Sequence, residues 1–145
     1  MSVEEFAHVG VVVSDLEAAT AFFVELGLEA ADAWESGGEW VDRVIGLEGT
    51  SARSRMLLSP RGGTCIELSE FGSPPSLGAD TGAPSNSLGI RHVTFQVDDL
   101  DDTLKRLEAR GASMVGEVAN YQDVFRVCYV RGPDENIVEL AERID

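Results

Sequence analysis

Displaced by 84 positions, the chain lies over itself. His8-Val9 falls on His92-Val93, Val13 on Val97, Asp15-Leu16 on Asp99-Leu100, and Gly27 on Gly111. Such a repeat means that one supersecondary plan is used twice, which restricts the fold before any motif is considered. Both copies read strand, cap, helix, glycine.

In the second copy Val93, Phe95 and Val97 alternate with His92, Thr94 and Gln96. That pattern predicts a strand with one apolar face, suited to packing under a helix, and one polar face that carries His92. In the first copy Ala7, Val9, Val11 and Val13 alternate with Phe6, His8, Gly10 and Val12, which puts His8 opposite the valines. Each strand runs into a helix start, Ser14-Asp15 and Asp98-Asp99, where a short side chain can accept from the first unpaired N–H groups. Stripes at three- and four-residue steps follow, Leu16, Ala19, Phe23 and Leu26, then Leu100, Leu104 and Leu107. Gly27 and Gly111 can supply the left-handed stops.

A second correspondence, at 72 positions, lays Ile66-Glu67-Leu68 over Val138-Glu139-Leu140 and Glu70 over Glu142. His8 and Glu67 are 59 positions apart, His92 and Glu139 only 47, so the first copy carries 12 extra residues. These are expected between Glu35 and Arg55. From Gly72 to Leu88 the chain has three prolines and four serines without periodicity, the composition of a connecting loop. The expected organisation is a single folding unit over 1–145, with module one at 1–71, a linker at 72–88 and module two at 89–145.

Hydrophobic residues at 43% and charged residues at 26% predict a packed core. A net charge of −15 opposes phosphate backbones and anionic lipid surfaces, so neither nucleic acid nor membrane is an expected partner. No stretch approaches the roughly 20 apolar residues of a membrane helix. Met1-Ser2-Val3-Glu4-Glu5 lacks the basic region of a signal peptide, which gives a cytoplasmic expectation. Cys65 and Cys128 lie in separate strand-like segments without a CxxC, so neither a disulfide framework nor a thiolate zinc site is indicated.

A lone histidine in a strand is more often a packing residue than a ligand, and a lone glutamate is more often simply solvated. Here the chain has only two histidines, and both occupy the same position of the repeat. Glu67 and Glu139 repeat in the same way, each between two apolar neighbours. Two neutral imidazoles and two carboxylates make an N2O2 donor set. It suits zinc, nickel, cobalt, manganese or ferrous iron better than magnesium or calcium. His8, Glu67, His92 and Glu139 are therefore the candidate ligands of one divalent ion. Such a site can bind two oxygens of a small-molecule substrate, polarise a carbonyl and stabilise an enolate, with a displaced carboxylate as base.

Three segments carry a family resemblance: His8-Val9-Gly10-Val11-Val12-Val13-Ser14-Asp15-Leu16, the run from Gly89 to Leu100, and Arg131-Gly132-Pro133-Asp134-Glu135-Asn136-Ile137-Val138-Glu139-Leu140. They resemble the vicinal oxygen chelate superfamily, which includes glyoxalase I, methylmalonyl-CoA epimerase, extradiol dioxygenases, fosfomycin resistance enzymes and bleomycin-binding proteins. The resemblance implies an α+β fold of tandem βαβββ modules. Their mixed sheets curl into a cleft around the metal, usually in a homodimer. A ligand at all four positions is similar to glyoxalase I or the epimerase, because the dioxygenases and fosfomycin enzymes generally use two histidines and one glutamate. The epimerase more often has glutamine where Glu67 stands, which makes Glu139 the first candidate base and Glu67 the second.

The leading expectation is a metal-dependent lyase or isomerase. One alternative is an extradiol dioxygenase using ferrous iron with open positions for catechol and oxygen. Another is non-enzymatic sequestration of an aromatic antibiotic, in a cleft that Trp34, Trp40 and Tyr121 could line; packing or dimer contact is the other role for these rings. Arg43, Arg53, Arg55 and Arg126 could serve an anionic substrate or be ordinary surface arginines. No organic cofactor is expected.

Overall fold

Alternating valines make β1 (His8–Val12), and the chain then turns directly into α1 (Leu16–Leu26). Two carboxylates start this helix: Asp15 accepts from the Ala18 N–H at 3.0 Å, and Glu70 accepts from the Leu16 N–H at 3.1 Å. Together they satisfy donors that a helix N-terminus leaves unpaired, and they place negative charge where the helix dipole favours it. Gly27, at φ 126°, ends the helix by donating to the Phe23 and Val24 carbonyls. Leu16, Ala19, Phe23 and Leu26 are buried, as their spacing predicts.

The computed structural model describes residues 2–78 and 82–145, and the chain divides into two units, Met1–Leu77 and Gly78–Asp145. The division falls inside the expected linker 72–88, of which residues 79–81 lie outside the described residues. The first unit continues through β2 (Glu29–Ala30), β3 (Trp34–Gly37), α2 (Glu39–Ile45), β4 (Ser51–Leu58) and β5 (Cys65–Ser73). Its sheet runs in the order β1-β5-β4-β2, with β3 also paired to β4; β1 is parallel to β5 and the other pairs are antiparallel. α1 packs on β4 and β5, whose Leu57, Ile66 and Leu68 are buried. α2 lies within the segment from Glu35 to Arg55 where the extra residues of the first copy were expected.

The second unit repeats the plan with β6 (His92–Val97), α3 (Leu100–Glu108), β7 (Ser113–Met114), β8 (Ala119–Tyr121), β9 (Phe125–Arg131) and β10 (Ile137–Arg143). The order is β6-β10-β9-β7, with β8 also on β9. Asp99 accepts from the Asp102 N–H at 2.9 Å, and Glu142 accepts from the Leu100 N–H at 2.5 Å, duplicating the helix start of the first unit. Gly111 has the expected positive φ, 93°, but α3 already ends at Glu108; a tightened turn follows, with Arg110 and Gly111 donating to Leu107 and Glu108. Leu100, Leu107, Val130 and Leu140 are fully buried at the centre of this unit.

Each sheet has five strands rather than the four of a βαβββ module. The difference is local: one edge strand of each sheet is broken in two. In the first unit three residues, Ala31 to Ala33, stand opposite two, Arg55 and Met56, which is the count of a β-bulge. The Arg55 side chain donates to the Ala31 carbonyl at 3.0 Å and so fills the bond the bulge leaves open.

Candidate metal site

Strand register assembles each histidine with its carboxylate. Where β1 lies parallel to β5, His8 is opposite Cys65 and Gly10 is opposite Glu67. Where β6 lies parallel to β10, His92 is opposite Ile137 and Thr94 is opposite Glu139. In both units the glutamate therefore stands two residues beyond the histidine's partner, on the same face of the sheet. Three residues further on the side chain points the other way, so Glu70 and Glu142 start helices while Glu67 and Glu139 share a face with the histidines.

His8 Nε2 lies 3.7 Å from Glu67 Oε2, with the two side chains 44% and 31% exposed. His92 Nε2 lies 3.3 Å from Glu139 Oε2, at 36% and 21%. The second pair is held further. Thr94 Oγ1 donates to Glu139 Oε2 at 2.5 Å, and the Tyr129 hydroxyl is 3.4 Å from His92 Nδ1, with the two rings 4.9 Å apart.

Two donors that bind one ion at roughly 2.0–2.2 Å stand roughly 3.0–3.5 Å apart. The His92–Glu139 separation lies in that span and the His8–Glu67 separation is slightly wide. An imidazole nitrogen beside a carboxylate oxygen is a donor pair that fits a first-row divalent ion. Each unit thus holds two of the four ligands expected from sequence. Among the described residues no group of three or more His, Cys, Asp or Glu side chains is gathered as a cation site.

The other candidates have other occupations. Arg53 pairs with Glu17 and Glu35, Arg55 with Glu17 and Thr20, and Arg126 with Asp101 and Glu142, so these three serve as links between helix and sheet. The ion pair with Arg126 holds the Asp101 carboxyl below its ordinary value. Arg43 lies in the last turn of α2, where a cation complements the helix dipole. Trp34 is opposite Ser54 in the register and so shares the face of Glu67 and His8, 40% exposed; Tyr121 is opposite Phe125, on the face of Tyr129 and Glu139. Trp40 is 70% exposed on α2. Both cysteines are free, and burial pushes the Cys128 thiol up to about 11.

Thr94 and Tyr129 contact the candidate ligands Glu139 and His92 and carry no signal of that role in the sequence. The alternation His92, Thr94, Gln96 puts Thr94 on the face of His92, but its pairing with Glu139 follows only from the β6–β10 register. Tyr129 is brought opposite Glu139 by the β9–β10 register, which no local pattern encodes.

Comparison with known proteins agrees with this architecture. A family model described as the Glyoxalase/Bleomycin resistance protein/Dioxygenase superfamily matches residues 5–140. A glyoxalase family protein from Bacillus cereus superposes with a TM-score of 0.96 at 37% identity, over 100% of this chain and 97% of that one. A mutant of the genomically encoded fosfomycin resistance protein FosX from Listeria monocytogenes, complexed with Mn(II) and 1S,2S-dihydroxypropylphosphonic acid, gives 0.62 at 21% identity, over 96% of this chain and 90% of that one. A glyoxylase/bleomycin resistance protein/dioxygenase domain from Frankia gives 0.63 at 19%, over 98% and 99%. Curated protein sequences give no match. With duplicated βα units, one histidine–glutamate pair in each, and a family match across nearly its whole length, the chain belongs to the glyoxalase/bleomycin resistance/dioxygenase superfamily.

Proposed function

We propose that the protein is a metal-dependent lyase or isomerase of the glyoxalase or epimerase type, in which His8, Glu67, His92 and Glu139 hold one divalent ion. The observation that carries this reading is the equivalent register of the two pairs: a histidine and a glutamate at the same sheet position, on the same face, twice. Neither pair alone closes a coordination shell, and the two together make the N2O2 set. The homodimer common in the superfamily is the assembly we propose for the active protein. Manganese is the first ion to test because a fold neighbour was solved with it; zinc, nickel, cobalt and ferrous iron suit the same donors.

When bound, the ion would supply chelation of two neighbouring substrate oxygens and stabilise negative charge on them. The chain's own part is to hold the ligands and to move the proton. His8 and His92 hold through Nε2, the atoms nearest their glutamates. A carboxylate released to substrate would take the proton next to the carbonyl, with Glu139 and Glu67 as the two candidates.

The test is exchange of a substrate α-proton with deuterated solvent, followed by NMR, with hemithioacetals and acyl-CoA epimers as substrates. The metal-loaded wild type should exchange, and Glu→Gln at the operative base should abolish exchange more completely than metal binding. No exchange with any of these substrates, together with oxygen consumption on catechol and ferrous iron, would replace this reading with a ring-cleaving one.

A further inference from the structure

The two half-sites are equivalent in backbone register and unequal in support. In the second unit the residue beside Glu139 on β6 is Thr94, whose hydroxyl holds Glu139 Oε2 at 2.5 Å. The residue beside it on β9 is Tyr129, whose hydroxyl meets His92 Nδ1 and whose ring lies against the imidazole. Both nitrogens of His92 therefore have partners, Nδ1 at Tyr129 and Nε2 at Glu139. In the first unit the corresponding neighbours of Glu67 are Gly10 on β1 and Met56 on β4, and neither has a hydroxyl. The His8–Glu67 pair is also wider and more exposed.

From this contrast we infer that Thr94 and Tyr129 are positioning residues, and that they make His92 and Glu139 the half-site that captures the ion, while His8 and Glu67 complete the shell afterwards. The inference rests on the four-ligand reading above. Its physical content is preorganisation: a carboxylate already fixed by a hydroxyl donor, and an imidazole already oriented through its far nitrogen, lose less freedom on binding than free rotors do. The Thr94 hydroxyl occupies one acceptor site of Glu139 and leaves the remaining lone pairs for an ion. With His92 bound through Nε2, Nδ1 carries the hydrogen and donates to the Tyr129 oxygen, which fixes the tautomer.

The experiment is calorimetric titration of the 145-residue chain with Mn(II), with Co(II) absorption spectra as a second readout. Thr94→Val, which keeps the shape and removes the donor, should weaken Mn(II) binding by roughly ten- to a hundred-fold and alter the cobalt bands at saturation. Thr94→Ser should restore affinity to within a few-fold of wild type, and Tyr129→Phe should weaken it in the same direction as Thr94→Val. His92→Ala should cost at least about ten times more affinity than His8→Ala. The reciprocal change is Gly10→Thr, where an added Cβ meets nothing within 4 Å. It places a hydroxyl beside Glu67 and should tighten binding. It also supplies a test if Thr94→Val fails to fold. Wild-type affinity in Thr94→Val, or no gain in Gly10→Thr from a folded protein, overturns the inference even if His92→Ala abolishes binding. Unchanged binding in both His8→Ala and His92→Ala removes instead the four-ligand reading beneath it.

Discussion

Replacing Glu142 by alanine should destabilise the second unit while leaving the face of His92 and Glu139 intact. The Glu142 side chain is 14% exposed, accepts from the Leu100 N–H at 2.5 Å, and lies 3.7 Å from Arg126 Nη1. A hydrogen bond to an ionised acceptor contributes about 1.5–3 kcal/mol, and a negative charge at the first turn of a helix adds about 0.3–1 kcal/mol. Arg126 keeps its pair with Asp101 at 2.8 Å, so little is lost on that side. The expected cost is about 2–4 kcal/mol, which for a chain of this length lowers Tm by roughly 6–13 °C. Glu142→Gln retains a neutral acceptor and should cost about half as much. Glu139→Gln, three residues earlier and on the opposite face, should shift the metal-free Tm far less and lower metal affinity instead. Thermal unfolding followed by circular dichroism reads the stability, and amide exchange at Leu100 reads the bond itself. A Tm for metal-free Glu142→Ala within about 1 °C of wild type, corresponding to well under 0.5 kcal/mol, would refute the assignment of this carboxylate to the helix start.

Three other outcomes follow from the same structure. Leu140→Ala removes a side chain with 0% exposure at the centre of the second unit and should cost about 2–5 kcal/mol in chemical denaturation. Burial raises the Cys128 thiol from its ordinary 9.0 to about 11, so the unfolded chain loses that proton first. Its contribution is intact below about pH 9 and falls as pH rises to about 11. Comparing pH–stability curves of wild type and Cys128→Ala isolates it, and parallel curves across that window would exclude it. Verified removal of metal by a chelator should lower Tm, since an ion bound only by the folded protein stabilises it by mass action; identical melting curves before and after would deny a folded-state site.

The repeat made the architecture legible because its strong signals are local. Asp15 and Asp99 cap, Leu16 and Leu100 begin apolar stripes, and the strand alternation separates His8 and His92 from the valine faces; the structure has each of these features. The second correspondence, at 72 positions, had a structural meaning that no single strand reveals. It is the β1–β5 and β6–β10 register, which puts Glu67 and Glu139 beside the histidines and Glu70 and Glu142 under the helices. The break between β2 and β3 was not legible, because a bulge depends on what the partner strand offers across it, here the Arg55 side chain. Thr94 and Tyr129 escaped for the same reason: their contacts with Glu139 and His92 lie across strands, and sequence alone does not give the pairing.

Metal stoichiometry by elemental analysis decides whether the two histidine–glutamate pairs hold one divalent ion. The protein should be purified without a metal-chelating tag, loaded with Mn(II) and freed of excess. One ion per chain is expected in wild type and sharply reduced occupancy in both His8→Ala and His92→Ala, because each variant would open the shared shell. Full occupancy in both variants, with wild-type affinity, would contradict a shared ion.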